Sequence, residues 1–163
     1  MTRRVTTVLF LACVGLGVTA AAQTAEPAVG KSLLGFDGTP VGKWTPRDAA
    51  DGHGVVWENE DVMAAIGAHI LKGKVAGADE LKTALKMDFG TPIDAVLETQ
   101  TTPKGFYVVA KPKTSGLTEQ ELIYVRRFGG KDVFCRGAIA SKDPYGAIPK
   151  AEVLAVCESL RLK

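Results

Sequence analysis

A chain of 163 residues has room for one ordinary domain with a real hydrophobic core, rather than for several. Its 20 Lys+Arg exceed 18 Asp+Glu only through Arg3 and Arg4, so the body of the chain balances at 18 against 18. A neutral body without a basic cluster argues against nucleic acid and anionic membrane as partners.

Residues 1–22 carry the marks of a secretory signal peptide. Arg3 and Arg4 form the positive start, Val8 to Val18 the apolar run, and Ala20-Ala21-Ala22 an A-x-A cleavage site before Gln23. The apolar run is short for a membrane span, so no transmembrane segment is expected after cleavage. Lipoprotein and twin-arginine variants of export match less well around Cys13 and Thr6. Periplasmic or secreted localisation follows. Cys13 leaves with the signal, and of three cysteines Cys135 and Cys157 remain. A pair of cysteines in an oxidising compartment predicts a disulfide.

Residues 23–43, rich in Ala, Gly, Pro and Thr, predict a flexible lead-in before a single globular domain over 44–163. Within them GTPVGK is one residue short of a phosphate loop, and Trp44 stands where Ser or Thr is needed. Val55, Val56 and Trp57 favour a strand. The following VMAAIGAHIL fits two templates. As a helix it is capped by Asn59 or Asp61, with Val62, Met63, Ile66 and Ile70 as its stripe; as a strand it alternates Ala64, Ile66 and Ala68 against Ala65, Gly67 and His69. Its alanine content favours the helix. Residues 78–89 read as a second helix, with Asp79 as cap, Leu81, Ala84, Leu85 and Phe89 on one side, and Gly90 and Pro92 ending it.

Ile93 to Thr101 and Phe106 to Lys111 predict a hairpin around Pro103-Lys104-Gly105. A second hairpin, ELIYVRRF-GG-KDVFCRGAIA, turns at Gly129-Gly130, where glycines supply positive φ angles. That turn sets Arg127 opposite Asp132, Arg126 opposite Val133, Val125 opposite Phe134 and Tyr124 opposite Cys135. One face then carries Leu122, Tyr124, Phe128, Val133 and Cys135, and the other Ile123, Val125 and Phe134. Both faces are apolar, so each needs a cover, from the chain or from a partner.

After Pro149, Val153, Val156, Cys157 and Leu160 make the apolar stripe of a closing helix. With Cys157 facing the sheet and Cys135 on it, a Cys135–Cys157 disulfide pins helix to hairpin. The fold class expected is α+β: an antiparallel sheet of about four or more strands, one or two helices before it, and a C-terminal helix packed on it.

This element order over Trp44 to Lys163, with its terminal VLAVCESLRL helix, resembles the PsbP-like domains. These are exported or organellar α+β proteins with a central antiparallel sheet. The resemblance implies a non-enzymatic binding or assembly module.

Chemistry-bearing patterns are sparse. The two histidines, His53 and His69, have neither H-x-x-x-H nor C-x-x-C spacing beside them, and no serine sits in a nucleophile elbow. No catalytic residue, metal or cofactor is therefore expected. The reading is an exported, non-catalytic binding or accessory protein with a protein partner in the cell envelope, of inhibitor or immunity type. Its candidate binding surface is Ile123, Val125, Phe134, Tyr107 and Trp57. The alternative is a small periplasmic hydrolase with a site near His53 and Glu58.

Overall fold

The computed structural model describes residues 34–36, 44–49, 53–113, 116–143 and 146–163. The expected signal peptide, most of the lead-in and the GTPVGK stretch lie outside the described residues. In chain order the elements are β1 (Leu34–Phe36), β2 (Thr45–Asp48), β3 (Gly54–Asn59), β4 (Ala64–Ile70), α1 (Ala78–Phe89), β5 (Ile93–Thr102), β6 (Gly105–Pro112), β7 (Thr118–Phe128), β8 (Lys131–Ser141), α2 (Lys150–Glu158) and β9 (Leu160–Leu162). β2 to β8 form a seven-stranded antiparallel sheet in the order β2-β3-β4-β8-β7-β6-β5, and β1 pairs β9 separately. The class is α+β, with a sheet of seven strands where about four or more were expected. β1 also extends the ordered domain into the segment expected to be a flexible lead-in.

Residues 64–70 are a strand, which corrects the helix favoured from composition. β4 lies between β3 and β8 and hydrogen-bonds to both. Ala64, Ile66 and Ala68 are buried on one face, while Ala65, Gly67 and His69 take the other. Sheet pairing on two sides outweighs an intrinsic helix preference of a few tenths of a kcal/mol per residue, about what alanine supplies. Asn59 caps no helix here. Its Oδ1 accepts the Asp61 N–H at 3.1 Å, an Asx turn that starts the β3–β4 connection.

The β7–β8 hairpin has the register that Gly129-Gly130 predicts: Tyr124 opposite Cys135, Val125 opposite Phe134, Arg126 opposite Val133 and Arg127 opposite Asp132. Its two faces enter two separate cores. Leu122, Tyr124, Val133 and Cys135 pack with Ile66, Val153, Val156 and Cys157 beneath α2. Ile123, Val125 and Phe134 pack with Leu71, Leu81, Leu85 and Ile93 beneath α1.

α2 is fastened to its face by a covalent link and by polar ones. Cys135 and Cys157 are disulfide-bonded, with Cα atoms 5.5 Å apart. The buried Arg126 donates from Nη1 to the carbonyls of Glu158 at 2.7 Å and Leu160 at 2.5 Å, so a cation caps the negative end of the helix. Trp44 donates from Nε1 to Glu152 at 3.1 Å, tying the lead into β2 to the same helix. Pro149 occupies the N-cap, and Leu160 leaves the helix to become a buried residue of β9.

α1 is held differently. Gly77, not Asp79, is its N-cap, and Glu80 instead reaches back to the Ala76 N–H at 2.7 Å. Gly90 closes the helix in the left-handed conformation, φ 62°. Asp132 accepts the Val75 N–H at 2.8 Å and Arg127 donates to the Val75 carbonyl at 3.4 Å, so the pair at the hairpin tip clasps the segment leading into α1.

Candidate functional site

The five residues expected to form a binding surface are all buried. Ile123, Val125 and Phe134 lie under α1, and Trp57 and Tyr107 belong to the core on the α2 side. At Ile123, Val125 and Phe134 the second face of the hairpin is covered by the chain's own helix, so the binding surface expected there is not an exposed patch. The Tyr107 hydroxyl is bonded to Glu98 at 3.0 Å and to Gln100, and Lys150 pairs with Glu98 at 2.7 Å while lying over the Tyr107 ring. Lys150 holds the Glu98 carboxyl below its usual range, with the Tyr107 hydroxyl assisting. That cluster anchors the start of α2 to β5.

The pair His53 and Glu58 is not brought together. His53 precedes β3 and Glu58 lies near its far end, five residues or roughly 17 Å apart along extended chain. Glu58 is instead paired with Arg47 on β2, whose hydrogen bond lowers the carboxyl's affinity for protons.

α1 covers only part of its face of the sheet. Over β3, β4 and β8 the face is open, and there lies a groove of about 530 Å³. Its floor includes Ala65, Gly67 and Ala138, residues small enough to leave space above the strands. One wall is formed by Phe89, Thr91 and Pro92 from the end of α1 and its exit, with Pro112 from β6. At that end His69 stacks on Phe134, centroids 5.9 Å apart, and meets Phe89 edge-on at 5.5 Å. Gly54 makes this placement possible, because a Cβ there would come within 2.6 Å of the His69 ring. His69 is thus a packed boundary histidine.

Among the described residues two charges line the groove. Glu121 on β7 is 8% exposed, and its ion-pair partner Arg136, on β8, stands 3.9 Å away. Burial raises the Glu121 carboxyl's pKa, and the Arg136 charge opposes that only in part. Sequence reasoning missed both. The signal available was a glutamate opening an otherwise apolar run, on the same side of the strand as Ile123 and Val125.

A second hollow of about 360 Å³ continues from the first, sharing Ala65, Thr118 and Ala138 with it. Its rim carries Met63 and Leu117, 78% and 57% exposed. Met63 has φ 49°, a left-handed conformation that costs a side-chain-bearing residue on the order of 1 kcal/mol. The turn holding it is fixed by Met63 N–H to Glu60 carbonyl at 3.3 Å and by Gly146 N–H to Val62 carbonyl at 2.6 Å. A large apolar side chain is therefore held outward at a backbone position where glycine or asparagine is the comfortable choice.

Among the described residues no three His, Cys, Asp or Glu side chains cluster as metal ligands, and no helix is long and apolar enough to cross a membrane. No protein-family model matches the chain, and no curated protein matches it.

Proposed function

We propose that this is a non-catalytic binding protein of the cell envelope or secreted space, and that it takes a segment of a protein partner on the open half of its α1 face. The observation that carries this reading is the continuous channel from the His69–Phe134 end to Met63 and Leu117. A shallow, elongated depression with an apolar rim fits a polypeptide better than a compact metabolite, which is normally enclosed on most sides. The Cys135–Cys157 bond supports residence in an oxidising compartment. The resemblance to PsbP-like domains points the same way. A hydrolase centred on His53 and Glu58 loses its support with their separation along β3.

Filling the channel tests this. A Cβ on Gly67 would meet no atom closer than 4.0 Å, so a side chain can start there, and Gly67→Trp is expected to fill the groove. The purified protein, cross-linked in native envelope extract, is expected to join one partner stoichiometrically through Met63 or Leu117. Gly67→Trp is expected to lose that product while its circular dichroism stays unchanged. A product that survives Gly67→Trp, or that joins through the α2 side, rejects the site.

A further inference from the structure

The binding reading above locates a channel; the charges inside it indicate what enters. Glu121 is buried in a mostly apolar wall, and among the described residues its carboxylate has Arg136 as ion-pair partner at 3.9 Å, beyond hydrogen-bond reach. A largely buried carboxylate whose cationic partner stands this far off gains from a closer donor. Arg136 has a side chain 34% exposed, so its guanidinium can turn into water when another cation arrives. Further along, Asp143 lines the second hollow, and Glu60 and Asp61 stand exposed in the turn that carries Met63. Among the described residues the charges lining the two hollows are thus Glu121, Arg136 and Asp143.

We propose that the occupant, on the docking reading it rests on, is an extended partner segment presenting a lysine or arginine, its cationic head on Glu121. The aliphatic stem of such a side chain lies well on Phe134, Ala138 and Ala65, while the head gains a charge-assisted bond in a low-dielectric wall.

The test is NMR titration of the ¹⁵N-labelled, oxidised protein with three probes: Nα-acetyl-lysine N-methylamide, its norleucine counterpart and its glutamate counterpart. The lysine probe is expected to shift the amides of Gly67, Glu121, Arg136 and Ala138 saturably, with norleucine weaker by about tenfold. Glu121→Gln is expected to remove that difference, and Arg136→Gln to preserve or enlarge it. Equal groove shifts from lysine and norleucine overturn the cation and leave the docking site standing. Shifts from the glutamate probe that vanish in Arg136→Gln also overturn it. No groove shift from any probe overturns both.

Discussion

The two faces of the sheet are built to different rules. On the α2 side a disulfide, a buried arginine cap and an indole–carboxylate bond converge on one short helix, and the core beneath it is closed. On the α1 side a longer helix seals β6, β7 and the end of β8, then stops, and the rest of the face stays open above alanine and glycine. Two glycines on neighbouring strands display the contrast. A Cβ on Gly137 would press Val153 at 3.1 Å and Ile66 at 3.2 Å, because α2 sits directly on it; one on Gly67 would touch only Val56, at 4.0 Å. One face secures the molecule, and the other leaves room for something else.

The largest break in this contrast comes from removing the staple. Replacing Cys135 and Cys157 by alanine opens a loop of 22 residues and is expected to cost about 3 kcal/mol in urea unfolding. Reduction of the native protein should reproduce the loss, and an unchanged midpoint rejects the disulfide as the main fastening of α2. Next comes Gly137→Val, expected to cost about 2 kcal/mol by overpacking against Val153. A thermal melt equal to the native one would show that α2 yields more easily than its attachments imply.

On the open side the effects are smaller and one changes sign. Glu121→Gln is expected to stabilise the protein at neutral pH, on the order of 1 kcal/mol, by removing a poorly paired buried charge. Because the folded carboxyl holds its proton more tightly than the unfolded one, native stability is greatest below the unfolded pKa and falls as pH rises through the folded value. Glu121→Gln should lack that fall, so the two melting curves converge at acid pH and part towards neutrality. Constant separation across the range rejects the assignment. Smallest of all, Gly67→Ala is expected to stay within about 0.5 kcal/mol of native, its Cβ meeting only ordinary contact.

What the sequence disclosed followed from local rules that the tertiary structure happens to respect. Gly129-Gly130 fixes a turn, the turn fixes register, and the register assigned both hairpin faces. The helix over 78–89 was equally legible from its stripe and from Gly90. Residues 64–70 were not, since alanine-rich alternation with a central glycine satisfies both periods and only β3 and β8 on either side decide it. Arg126 illustrates the same limit: nothing in YVRRF distinguishes an arginine that caps a helix 31 residues later from its exposed neighbour Arg127. The candidate site was the least visible, because it is defined by where α1 stops and by small residues leaving space. Absence of side chain has no local signature.

The pairing of β1 with β9 sets Leu34 against Leu162 and Phe36 against Leu160. Tension applied through Leu34 and Lys163 would therefore unzip this ladder bond by bond, starting from the Leu34–Leu162 end. Once β9 has peeled away, the load reaches the sulfur link at Cys157 and jumps to Cys135, so the 21 residues between them drop out of the stretched contour. Threading through a narrow pore from the carboxyl end would stall at the same place until a reductant intervened.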